Sequence, residues 1–345
     1  MLKKNSFHFF SALALSSSLV VTSIASAFAS ASASAQNPRP MTQIQAERQF
    51  QRALLLAQRD QPEASHRILE GLRQQVVNQS KPLMDPHLLN LTEARVLFQM
   101  NRLNEVPGLY RSIPKSSPLW LEAREELAWA YLRQEKPEKA LAELKSLMTS
   151  FFRNTVGSEV FVAAGLTHLS TCDYVSIFNL SKEFKQRFLP RVDALAALLN
   201  NSPESEALLN RALEALKKNS QLTLEPLLAQ LPRKLSQDPL ILQSLSQFPS
   251  EASRRSALRR SQQLARAELQ EIKQNVQKVH LIEAEAIQRM ALENRTARRD
   301  KVRSSGHPHQ GEVLSFPATR EVWRDEIGHF AVDLKECPPL RLAGR

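Results

Sequence analysis

The chain has 345 residues, 46 Lys+Arg against 35 Asp+Glu, and a formal charge of +11. Its pI of about 9.9 and 42% apolar content describe a basic protein able to bury a core. Only 8 Gly argue against a Rossmann fold, a P-loop enzyme or a turn-rich β-barrel, and 2 Cys are too few for a disulfide scaffold or a four-thiolate zinc site.

Residues 1–35 read as a secretory signal peptide. Lys3 and Lys4 precede an apolar stretch from Phe7 to about Ala25, and small residues end in Ala33-Ser34-Ala35. Cleavage is expected after Ala35, with Ala29 and Ala33 as alternatives. A membrane anchor is the competing reading, weakened by the serines that interrupt the run. Export makes the protein periplasmic or envelope-associated. Its basic charge then points to an acidic protein, anionic lipid or anionic wall polymer, and not to nucleic acid. No RNA-type aromatic platform and no zinc-finger spacing is present.

Residues 36–190 read as helical hairpins. Leu127-Ala128, Tyr131, Ala140 and Leu144 have the spacing of a tetratricopeptide (TPR) helix pair. The small Ala128 lets two helices approach, and Ala140 falls where the second crosses the first. Thirty-four residues before Tyr131, the same pattern reads Ala94, Leu97, Val106 and Tyr110. Looser units are expected at Arg52, Leu55, Ala64 and Ile68, and at Gly165, His168, Tyr174 and Ile177, the latter ending near Pro190. Residues 191–249 read as degenerate hairpins that continue the array. Ser202 is expected to cap a helix opening on Pro203.

Residues 250–303 contain neither Pro nor Gly and read as one long basic helix with 13 Lys+Arg against 7 Asp+Glu between Glu251 and Arg303. Ala265, Leu269, Ile272, Val276, Val279, Glu283, Ala286 and Met290 form a heptad seam with one charged interruption. The helix could pack on its own chain, bend into a hairpin or pair with another chain. Leu281, Ile282 and Ile287 broaden the stripe and favour its own body. Residues 304–345 read as a tail of short extended segments docked on the helices through Trp323. Two cysteines in an exported chain invite a Cys172–Cys337 disulfide, against the alternative of two separate thiols.

The chemistry-bearing patterns are sparse. No Gly-x-Ser-x-Gly, phosphate-binding Gly loop or His-Glu-x-x-His occurs. His307 and His309 lack a third ligand, and Asp325, Glu326 and His329 lack a nucleophile. The chain therefore reads as non-enzymatic, with no metal and no cofactor. Arg95, Gln99, Arg124 and Arg133, on the first helices of the hairpins, are expected to line a concave partner-binding face. Arg254, Arg255, Arg259 and Arg260 form a basic patch suited to an anionic surface.

The stretch from Ser117 to Tyr131, with Lys139-Ala140-Leu141 and Ser150-Phe151-Phe152, resembles exported TPR proteins of deltaproteobacteria and predatory bacteria. Glu321 to Gly328 looks like the closing motif of that group, and Cys172 and Cys337 fall where its cysteines are expected. Some members are envelope proteins linked to adventurous gliding motility. On its own patterns the chain reads as all-α, a TPR-like helical-hairpin solenoid followed by a long helix and a short extended tail. The resemblance implies a non-enzymatic envelope scaffold with protein partners, and carries over no functional residue.

Overall fold

A computed structural model describes residues 41–77, 82–200, 202–301, 327–330 and 332. The leader, His307, His309, Trp323 and Cys337 lie outside the described residues. The described chain is all-helical, with no strand among the described residues.

The first hairpin is α1 (Gln43–Gln58) with α2 (Pro62–Val77), and the second is α3 (Pro86–Gln99) with the short α4 (Val106–Arg111). The third is α5 (Trp120–Arg133) with α6 (Pro137–Leu147). The fourth is α7 (Glu159–Ser170) with α8 (Tyr174–Leu199), and the fifth is α9 (Pro203–Lys217) with α10 (Gln221–Leu228). From α1 to α8 each helix packs on the next. Starts are marked by side-chain caps: Thr42 with Gln45 in a reciprocal capping box on α1, Asp85 on α3, Asp173 on α8. Ser202 caps α9 ahead of Pro203, as its sequence indicates.

All five hairpins close with the same turn. Asp60, Asn101, Glu135, Cys172 and Asn219 each adopt a left-handed backbone, at φ 59°, 60°, 58°, 57° and 51°. The following N–H donates back to a carbonyl five residues earlier: Gln61 to Leu56, Arg102 to Leu97, Lys136 to Tyr131, Asp173 to His168, and Ser220 to Ala215, at 2.9–3.0 Å. This is the Schellman closure, which satisfies carbonyls orphaned at the helix end.

The shared turn fixes a register for side chains. Three residues before those five acceptors stand Ala53, Ala94, Ala128, Gly165 and Ala212, all buried. Nine residues after them stand Ser65, Val106, Ala140, Ile177 and Leu224, all at most 2% exposed. Small first-helix residues thus let the second helix approach closely throughout. Ser65 fits this apolar column because its hydroxyl donates to the Ala53 carbonyl at 2.8 Å.

Two expectations need correction here. In the first hairpin Arg52 is exposed and Leu55 is 49% exposed, whereas Ala53, Ser65 and Leu69 are buried. The register therefore runs one residue later than the sequence pattern suggests. The run Leu54-Leu55-Leu56 offers three apolar phases, and the turn at Asp60 selects one. Pro190 does not end the fourth unit: α8 continues through it to Leu199, so the boundary expected at residue 190 falls inside a helix.

After the fifth hairpin, α11 (Pro239–Ser244) leads into α12 (Glu251–Lys301), a helix of 51 residues. It packs along α8, α7 and α11 of its own chain. Its buried stripe is Ala265, Glu268, Ile272, Asn275, Val279, Ile282 and Ala286. Ala265, Ile272, Val279 and Ala286 are buried as expected, while Glu268, Asn275 and Ile282 replace the expected Leu269, Val276 and Glu283, so the period holds and the alternate seam positions shift by one residue. Leu281 and Ile287 are 67% and 56% exposed and do not broaden the stripe.

The place α12 takes is informative. Gln99 of α3 donates to the Ala57 carbonyl at 3.3 Å, and Arg133 of α5 to the Phe98 carbonyl at 3.2 Å. Each acceptor lies three residues before the left-handed residue of the preceding turn. Arg289 of α12 donates at 3.3 Å to the Leu169 carbonyl, the equivalent position of the fourth turn. Ile282 abuts Gly165, where an added Cβ would lie 3.2 Å from its Cδ1. The long helix thus covers the fourth hairpin as α3 and α5 cover the first and second.

The tail returns to the third hairpin. Ile327 is buried against a cluster that includes Trp120, Tyr110 and Leu127. The Gly328 N–H donates to Ser146 Oγ at 2.8 Å. Gly328, at φ 85°, occupies a backbone region that side-chain-bearing residues rarely adopt.

Candidate interaction surfaces

The four residues expected to line a partner face are all engaged within the chain. Arg95 Nε donates to both Glu126 oxygens at 3.0 Å, and its Nη2 lies 2.8 Å from Glu122. Tyr110 Oη donates to the same Glu126 at 2.8 Å. Burial works against the Arg95 charge, but the two carboxylates more than offset it and its pKa is raised. Arg124 pairs with Glu143 at 3.1 Å, both half-hidden between α5 and α6. Gln99 and Arg133 are exposed at the hairpin ends, where they also bind the preceding turn through Asp60 Oδ1 (3.3 Å) and Asn101 Oδ1 (2.9 Å). Arg95, Gln99 and Arg133 tie consecutive units together, Arg124 ties the two helices of one hairpin, and of the four only Gln99 and Arg133 are exposed.

A larger polar junction was not visible in the sequence. Glu268 and Glu271, one turn apart on α12, meet three other segments. Glu268 pairs with Arg191 of α8 and accepts the Arg233 N–H at 2.9 Å. Arg191 also donates to the carbonyls of Leu228 (3.0 Å) and Leu231 (2.9 Å), closing the end of α10. Glu271 accepts from Arg233 Nη2 at 2.5 Å and from the Ser158 N–H and hydroxyl at 3.2 and 3.1 Å. Ser158 makes no side-chain cap bond to its own helix, so the α12 carboxylate caps α7 in its place. Burial raises the Glu271 pKa, yet the Arg233 charge and the hydrogen bonds hold it below the usual carboxylate range. A Cβ at Gly157 would lie 2.7 Å from Glu271 Oε1 and 2.8 Å from Arg233 Cζ. Glycine there leaves room for the ion pair. The pairs span 38 and 77 residues of sequence, and no local signal announces them.

Glu125 faces this junction without an ion pair. Burial first, then the neighbouring Glu159 and Glu271 charges, push its carboxyl up to about 8, against the attraction of Arg233. The folded state therefore binds a proton that the unfolded state releases near pH 4.5. The stability contributed by this group is fully present below that pH and is lost as pH rises through about 8. Urea midpoints of wild type and Glu125→Gln should converge below pH 4.5, diverge progressively between pH 4.5 and about 8, and diverge no further above that, the wild type falling by at most about 1.4 kcal/mol per pH unit within the window. Parallel pH profiles would contradict this assignment.

The expected basic patch divides. Arg254, Arg255 and Arg259 are exposed, with Arg254 also 5.9 Å from the Phe248 ring and Arg255 3.5 Å from Glu251. Arg260 is withdrawn: it makes a bidentate pair with buried Asp238 at 2.7–3.1 Å, the residue that caps α11. Cys172 sits in the fourth hairpin turn, and no cysteine among the described residues is a free thiol. Among the described residues no three His, Cys, Asp or Glu side chains group to hold a metal ion, and no helix is long and apolar enough to cross a membrane. His329 stands in the docked tail beside Glu143 and Arg124, lining a cavity with them.

No family model, no curated protein and no solved structure matches the chain.

Proposed function

We propose that the chain is an exported, non-enzymatic scaffold whose TPR-like solenoid binds protein partners in the periplasm or cell envelope, within an envelope or motility complex. The observation that carries this reading is the repeated unit: five hairpins with one closing turn and one register of small residues. Stacked units of this kind extend a surface for protein recognition without needing a catalytic constellation. The partner-facing edge in this reading runs through Gln99 and Arg133, the exposed two of the four residues expected to line it. A disulfide between Cys172 and Cys337 fastens the tail to the fourth hairpin turn. Affinity capture from envelope extracts should retrieve a partner that Gln99→Ala/Arg133→Glu loses. Identical capture by wild type, this variant and an empty matrix would sink the idea.

A second reading assigns the exposed Arg254, Arg255 and Arg259 to an anionic lipid or wall polymer. Its support is that these three point away from the buried stripe of α12. Cosedimentation with anionic vesicles should weaken with added salt and vanish in the triple Glu variant. Vesicle binding unchanged in that variant would remove it.

A further inference from the structure

An open cavity of about 380 Å3 lies between the second and third hairpins and the docked tail, lined by Arg111, Arg124, Tyr131, Lys139, Glu143 and the segment from Gly328 to Phe330. Its charge is unbalanced. Three cations line it against one carboxylate, and that carboxylate is already taken by Arg124 at 3.1 Å. Glu143 is moreover pushed above the usual carboxylate range, by burial first, against the pull of Arg124 and Arg111. Arg111 and Lys139 are exposed and have no ion-pair partner among the described residues. Arg111 donates to Tyr131 Oη, which leaves the phenol hydrogen free to donate to a ligand. Arg124 stacks 5.3 Å from the Trp120 ring, and its Nε is buried with no acceptor. Buried donors normally find acceptors, and an unfilled one beside two unpaired cations marks an acceptor-rich ligand.

We propose that this cavity binds a phosphate group, with Arg111 and Lys139 supplying charge, Tyr131 a hydroxyl donor and Arg124 a buried guanidinium. The tail forms one wall, so binding would couple to tail docking. Arginine with a hydroxyl and an ammonium suits a tetrahedral oxyanion better than a single carboxylate. The site is separate from the α12 patch and from the Gln99 and Arg133 edge.

The test is calorimetric titration of the full chain with inorganic phosphate at constant ionic strength. Saturable one-site binding is expected, weakened at least 10-fold by Arg111→Gln/Lys139→Gln and unchanged by Arg48→Gln at an exposed position on α1. Both altered residues are exposed, and circular dichroism checks that the fold persists. A phosphomonoester arm and a glycerol phosphodiester arm distinguish a free ligand from a polymer-borne one. Saturation by either supports the site and identifies its source. Absence of saturable binding in all three titrations, or equal affinity in the double variant and the Arg48→Gln control, overturns it.

Discussion

Replacing Arg191 by Ala is expected to lower the unfolding free energy by about 3–5 kcal/mol. The side chain is 9% exposed and its partner Glu268 is 6% exposed, so the mutation strands a carboxylate in a dry junction. It also strips donors from the Leu228, Ala229 and Leu231 carbonyls at the end of α10. Each buried group left unsatisfied costs desolvation energy that no new contact returns. Arg191→Met with Glu268→Met separates the two components. Removing both charges should recover the part due to the stranded carboxylate, while the part due to the Leu228, Ala229 and Leu231 carbonyls and the Arg233 N–H should remain. Urea unfolding monitored by circular dichroism decides. A loss under about 1 kcal/mol in Arg191→Ala would mean that α12 is not anchored where the structure places it.

The second large effect is expected at Phe161. This side chain is 0% exposed on α7, edge-on to Phe184 at 5.7 Å and to Phe188 at 5.5 Å, both from α8. Arg187 lies 5.4 Å from the same ring. Phe161→Ala removes the ring that joins the two helices of the fourth hairpin and leaves a cavity under α12. The expected cost is about 3–5 kcal/mol, part of it the loss of two edge-to-face pairs. Phe161→Leu keeps most of the volume and should cost less than half as much. Val175→Ala, at a residue 72% exposed on α8, should be near neutral and serves as the control. Equal urea midpoints for Phe161→Ala and Val175→Ala would contradict the packing described for this hairpin.

The second and third hairpins were legible because their residues match in type as well as spacing. Ala94, Leu97 and Val106 answer Ala128, Tyr131 and Ala140 at a constant offset of small, large and small-to-medium apolar residues. The first and fifth hairpins were harder for a physical reason. Ser65 meets the packing requirement through a hydrogen bond to Ala53, and Ala215 occupies a position that Tyr131 fills elsewhere. The shared turn was invisible because its left-handed residue is Asp, Asn, Glu, Cys and Asn in the five cases, and never Gly. In α12 the heptad period was plain, but its alternate positions fall on Glu268 and Asn275, polar groups whose partners are Arg191 on α8 and Ser158 at the start of α7. Sequence periodicity treats such residues as solvent-facing. Arg95 and Arg124 were correctly placed on first helices. The carboxylate partner of Arg95, 31 residues away, could be recognised only once the second and third hairpins were stacked, and that of Arg124, 19 residues away, only once the third hairpin was closed.

The structure makes one assertion from which most others follow: α12 is an integral cover on the fourth hairpin, held there by its own chain. Amide hydrogen exchange on a dilute sample tests this directly. The buried span from Ala265 to Ala286 should exchange with the same slow opening as α7, because both are released only when the junction at Glu268 and Glu271 comes apart. Complete exchange of that span within seconds while α7 stays protected would show a helix that is not docked, and would contradict the arrangement described here.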